Sequence, residues 1–173
     1  MKNLLFLALV CIGLLSCKDR DPDPNVLPEA TQSGKNTAGA IVDGKVWVAK
    51  IAYPDLNNGG VNATIYEYAN GEYKLKIVLQ QINNEGSSIG FYISDKIDIT
   101  TTSYILANDN FRGTYSYKTL EDYYTDNENT GILTITKFDK INKIVSGVFT
   151  FKVKDSNGKI VTITDGRFDK RFL

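Results

Sequence analysis

The strongest constraint on this chain is a two-residue rhythm. Residues 73–81 read YKLKIVLQQ. Tyr73, Leu75, Ile77 and Leu79 fall on one side and Lys74 and Lys76 on the other, the pattern of a strand with one face buried. KIVSGVFTFKVK repeats it: Val145, Phe149, Phe151 and Val153 oppose Ser146, Thr150, Lys152 and Lys154. Beyond the first apolar segment no 3.6-residue period is sustained, so no helix would have an apolar stripe to pack.

Turn residues cut this rhythm into short pieces. Asp43-Gly44 and Asn70-Gly71 each sit between two such runs and predict type I′ hairpins, whose central residues both need positive φ. GILTITKF, KIVSGVFTFKVK and KIVTITDGRF predict a C-terminal meander, turning at residues 139–142 and at Asn157-Gly158. Residues 120–124 have room for one helical turn at most. In IVTITDGRF, Val161 and Ile163 point inward, and strict alternation would carry Asp165 and Arg167 inward too. A bulge at Gly166 would shift the register and return Phe168 to the core. About nine or ten short strands at this spacing predict an all-β fold, an antiparallel β-sandwich or a partly open barrel.

Composition agrees with one such domain. The chain has 173 residues, of which 42% are apolar and 23% charged. Lys plus Arg equals Asp plus Glu, 20 each, so no basic field holds nucleic acid and none is expected as a partner. Histidine is absent and the only cysteines are Cys11 and Cys17. This removes the usual general base, the commonest zinc ligand and any Ser-His-Asp or Cys-His nucleophile. No catalytic residue, metal ligand or cofactor is assigned.

The amino terminus reads as an address. Lys2 precedes LLFLALVCIGLL, an apolar run of secretory-signal length and too short to span a bilayer. It ends in Leu14-Leu15-Ser16-Cys17, which resembles the bacterial lipobox. That resemblance implies a signal peptide over residues 1–16. It also implies diacylglycerol on the Cys17 sulfur and an acyl chain such as palmitate on its amine, which together anchor a protein stably. Residues 17–37, rich in Pro, Asp, Gly and Asn, are expected to be a flexible tether of about 60 Å when extended. Residues 38–173 are the expected β domain. Asp19, Asp21 and Asp23 mimic a calcium loop, but Pro24 and Ala30 stand where Gly and a bidentate Glu belong.

Lys18-Asp19-Arg20-Asp21 resembles the surface-export signal of Bacteroidetes lipoproteins. ITKFDKINKIVSGVFTFKV, ITDGRFD and TQSGKNTAGAIVDGKVWVA together resemble a family of Bacteroidetes lipoproteins classed as a domain of unknown function. The resemblance covers residues 27–53 and 111–169. It implies a lipid-anchored β domain in the outer membrane, facing the cell surface or, alternatively, the periplasm. It implies no reaction. The family pattern carries a cysteine where this chain has Gly39-Ala40, so a role for that thiol does not carry over.

Two polar clusters are candidate binding sites. In ITDGRFDKRF, Asp165, Arg167 and Asp169 have the chemistry to grip a polar ligand; alternatively Arg167 pairs with a carboxylate to fix a bulged strand. Tyr115, Tyr117, Tyr123 and Tyr124, followed by Asp126, suit a glycan platform, or are strand-forming residues beside an acidic loop. Asp122, Asp126 and Glu128 also offer oxygens to calcium. Trp47 is expected in the core. Glu67, Glu72, Asp95, Asp98 and Glu121 form no spacing that selects a catalytic pair. The expectation is a membrane-anchored, non-enzymatic binding or interaction module with a glycan or envelope-protein partner. A surface glycan-binding accessory lipoprotein is the alternative, and a small carboxylate-dependent hydrolase ranks third.

Overall fold

The computed structural model describes residues 23, 25–51, 60–82, 86–95, 98–118, 121–155 and 157–172. Cys17 and the apolar segment before it, expected to be a signal peptide, lie outside the described residues. Eleven strands follow in order: β1 (Thr37–Val42), β2 (Lys45–Val48), β3 (Val61–Glu67), β4 (Tyr73–Gln81), β5 (Ser87–Asp95), β6 (Ser103–Leu106), β7 (Phe111–Tyr117), β8 (Glu121–Tyr124), β9 (Gly131–Asp139), β10 (Ile144–Lys154) and β11 (Ile160–Arg171). They form a six-stranded sheet, β2-β1-β11-β10-β9-β6, and a five-stranded sheet, β3-β4-β5-β7-β8. All neighbours pair antiparallel. Neither sheet closes on itself, and the two pack face to face. The expected all-β class is therefore a sandwich and not a barrel, with eleven strands where nine or ten were counted.

The turns follow the local chemistry. Asp43 (φ 47°) and Gly44 (φ 77°) are both left-handed, as a type I′ turn requires, and they join β1 to β2 through Val42 opposite Lys45. The Asn-Gly pairs behave differently. Gly71 and Gly158 are left-handed, at φ 80° and 83°. Gly71 N donates to Tyr68 O at 2.9 Å, and Gly158 N to Asp155 O at 2.9 Å. Each loop is a tight turn closed by a glycine, longer than type I′. The reason is side-chain capping: Asp155 Oδ1 accepts from Asn157 N at 2.9 Å and Lys159 N at 2.7 Å, and Asn70 Oδ1 accepts from Glu72 N at 3.1 Å. Residues 121–124 form β8 because β7 offers a free edge to pair with.

The meander β9-β10-β11 forms as the alternation predicts, with two register shifts, one in β9 between the pairs Ser146 with Lys137 and Gly147 with Ile135 and one in β11. Phe149 lies opposite Gly166 but Phe151 lies opposite Ile163, so two residues of β11 face one of β10. The same slip occurs against β1, between Gly39 and Ile41. Asp165 takes the left-handed conformation (φ 50°). A Cβ on Gly166 would overlap the Phe149 ring, so Gly166 is needed for close approach and not for its torsions. A slip of one residue exchanges the two faces of a strand. Before the bulge Val161 and Ile163 point inward; after it Phe168 does, and Arg167, Asp169 and Arg171 turn outward.

The returned Phe168 completes an aromatic centre between the sheets. The Phe91 ring of β5 lies 4.7 Å from Phe149, 5.7 Å from Phe151 and 6.5 Å from Phe168. Leu75, Ile77 and Leu79 of β4 and Leu133 and Ile135 of β9 surround it. Trp47 is buried as expected, and its indole N–H donates to Ser87 Oγ at 2.8 Å across the sandwich edge.

Gly166→Ala should cost about 2 kcal/mol of folding stability, the size of an overpacking defect. Urea unfolding measures it, and a loss below about 0.5 kcal/mol would refute the close-approach role.

Candidate functional site

The outward half of ITDGRFDKRF forms a clasp. Asp169 is 1% exposed, although its backbone lies in a strand whose outer face should be solvated. Its carboxylate accepts from Thr31 Oγ1 (2.7 Å), Ser33 N (3.0 Å), Gly34 N (2.8 Å), Lys35 N (3.1 Å) and, across to β10, Ser146 Oγ (2.8 Å). Gly34 makes this possible. Its left-handed φ of 76° curls three successive N–H groups into a concavity that fits an anion. Arg167 donates Nη1 to Pro28 O at 3.5 Å, and Arg171 donates Nη2 to Ser33 O at 3.4 Å. Asn36 Oδ1 accepts from Arg171 N at 3.1 Å. Gly39 leaves room for Pro28 and Leu27 to lie on the sheet.

Residues 27–36 are thus a strap bound to the outer face of the six-stranded sheet. This corrects the expectation of a flexible tether through residue 37: a buried carboxylate needs donors, and the strap supplies them. It also answers the question posed by Asp165, Arg167 and Asp169. Asp165 is exposed on the bulge, while Arg167 and Asp169 spend their polar atoms on the chain itself. Among the described residues Arg167 pairs with no carboxylate; its Nε and Nη2 donate to the Asp165 carbonyl at 3.1 and 3.0 Å.

The tyrosines do not form one platform. Tyr115 is buried in the core, with the Tyr123 ring stacked on it at 6.4 Å. Tyr117 and Tyr124 are exposed, and Tyr124 lies on the opposite face of the sheet. Asp126 turns back on its own loop, accepting from Asn129 N (2.6 Å) and Glu128 N (2.8 Å). Those backbone donors hold its carboxyl below the usual value. Among the described residues no group of three His, Cys, Asp or Glu side chains is placed to hold a metal ion. Glu72 is engaged by Ser94 Oγ (2.7 Å) and Lys74 (3.2 Å), and Asp98 by Lys140 (2.6 Å).

The outer face of the five-stranded sheet carries a set that single-strand reasoning misses. Register aligns Thr64, Lys76, Tyr92 and Arg112 in one row across β3, β4, β5 and β7. The Arg112 guanidinium lies 4.8 Å from the Tyr124 ring centre and 5.9 Å from that of Tyr92. Tyr66 lies opposite Lys74 in the adjacent row. The alternation marks each residue as outward, but only strand order makes them neighbours.

Burial alone would raise the Asp169 pKa, but the donors from Thr31, Lys35, Ser146 and Gly34 outweigh it and hold the carboxyl below its ordinary value. Its stabilisation is whole above about pH 4, the value in the unfolded chain, and is lost as pH falls through the lower folded value. Asp169→Asn should lower stability at neutral pH by about 3 kcal/mol, flatten the acid limb of the stability profile, and expose residues 27–36 to protease. A variant with an unchanged acid limb and a protected strap would refute the clasp.

No family model, curated protein or solved structure matches this chain, so its geometry carries the functional reading.

Proposed function

We propose that this chain is a lipid-anchored, non-enzymatic binding module of the bacterial envelope. In this reading Cys17 carries the acyl chains, the outer membrane is the site of anchoring, and the cell surface is the side on which the domain stands. The observation that carries it is the strap. The chain arriving from Cys17 is clamped by Asp169 to the outer face of the six-stranded sheet. Cys17 and Leu27, where the strap begins, are ten residues apart, which span at most about 35 Å. In this reading the chain leaves the domain on that face, which turns toward the lipid, and the five-stranded sheet faces away.

The surfaces agree with this orientation. On the strap side Ile105 and Ile132 form an exposed cross-strand pair, and Val148 is exposed nearby. Apolar side chains of this kind suit the neighbourhood of a bilayer. The opposite face is polar and aromatic. The lack of histidine and of a thiol pair after Cys17 supports a binding role over a catalytic one.

Cys17→Ala should abolish palmitate labelling and release the protein from membranes; a variant that stays labelled refutes the anchor. Protease added to intact cells should digest the domain, and full protection would mean that it faces the periplasm.

A further inference from the structure

The polar face of the five-stranded sheet is aromatic and charged. Among the described residues its outward strand positions carry Lys74, Lys76 and Arg112 and one carboxylate, Asp122, to which the Tyr124 hydroxyl donates at 3.3 Å. With the turns counted the face carries three cations and three carboxylates, and of the cations Lys76 alone has no ion pair among the described residues. The counter-ions come from the turns: Glu72 reaches Lys74 at 3.2 Å, and Asp109, 99% exposed, reaches Arg112 at 3.5 Å. Surface pairs of this kind hold by about 0–1 kcal/mol and exchange readily for a ligand's anion.

Tyr92 lies between Lys76 and Arg112, Tyr66 and Tyr124 flank the cations from the edge strands β3 and β8, and Thr64, Thr114 and Ser116 add hydroxyls to the same face. The row from Thr64 to Arg112 crosses four strands, roughly 14 Å at the usual strand spacing. Such a surface matches a linear polymer with many hydroxyls and sparse negative charges. Nucleic acid fits it poorly. Three cations neutralise few phosphates. The Arg112 guanidinium also lies over Tyr92 and Tyr124, at the ring positions that a base would need for stacking.

Resting on the binding-module reading above, we propose that this face binds a uronate-bearing polysaccharide. Arg112 and Lys76 receive the carboxylates, and the tyrosines and threonines receive the sugar hydroxyls and ring edges.

The test measures binding of the lipidated full chain, in detergent, to immobilised alginate. Wild type should bind, with an affinity that falls as salt rises. Lys76→Gln and Arg112→Gln should each weaken binding roughly tenfold, the loss of one charge-assisted contact. Lys152→Gln, on the other sheet, should bind as wild type does. Lys76 is exposed and its replacement spares the fold, so it decides the matter if the Arg112 variant unfolds. No retention on alginate overturns the proposal. So does retention that both variants leave intact, or tighter binding to neutral dextran, to single-stranded oligothymidine or to anionic vesicles. Palmitate labelling at Cys17 reports on the anchor independently, so the proposal can fail while the anchored-module reading stands.

Discussion

One extra residue in β11 governs much of this molecule. Had the strand kept strict alternation, Asp165, Arg167 and Asp169 would have entered the core, and Phe168 would have been left outside. The bulge at Asp165-Gly166 reverses this within two residues. Inward, it delivers Phe168 to the ring cluster around Phe91, which joins the two sheets. Outward, it delivers Arg167, Asp169 and Arg171 to the strap. Core and strap are therefore not independent features. They are the two faces of one register shift, made sterically possible by the missing side chain of Gly166.

The strap solves a problem that the bulge creates. An aspartate in the middle of a sheet face gains nothing from burial unless its oxygens are satisfied. Here the donors come from a segment with no regular structure, whose backbone N–H groups would otherwise need water. Each side meets the other's requirement, and the result is a buried carboxylate held by five donors. The clasp joins residues more than 130 positions apart in sequence. A pull from the amino terminus is therefore borne by the central strands of the sheet, not by its edge.

The tyrosines show why a cluster in sequence is a poor guide to a surface. Tyr115, Tyr117, Tyr123 and Tyr124 are close along the chain, yet alternation and the β7-β8 hairpin send Tyr115 and Tyr123 to the core and Tyr124 to the opposite face. The aromatic face that does form draws Tyr66, Tyr92 and Tyr124 from three separate strands. No window of sequence contains it.

Local physics was enough to read the all-β class, the buried faces of β4 and β10, the Asp43-Gly44 turn, the burial of Trp47 and the return of Phe168. Each depends on residues adjacent in the chain, where a period of two, a left-handed turn pair or a glycine beside bulky neighbours carries the signal. The proposed lipobox at Cys17 is likewise read from four adjacent residues. What the sequence left undecided involves partners distant along the chain. It could not say that Asp169 would be buried, because its donors lie at residues 31–35. Nor could it say that Lys76 would stand beside Tyr92 and Arg112, because strand order sets that row. The tertiary structure decided both, through pairing between strands that only the closed sandwich brings together.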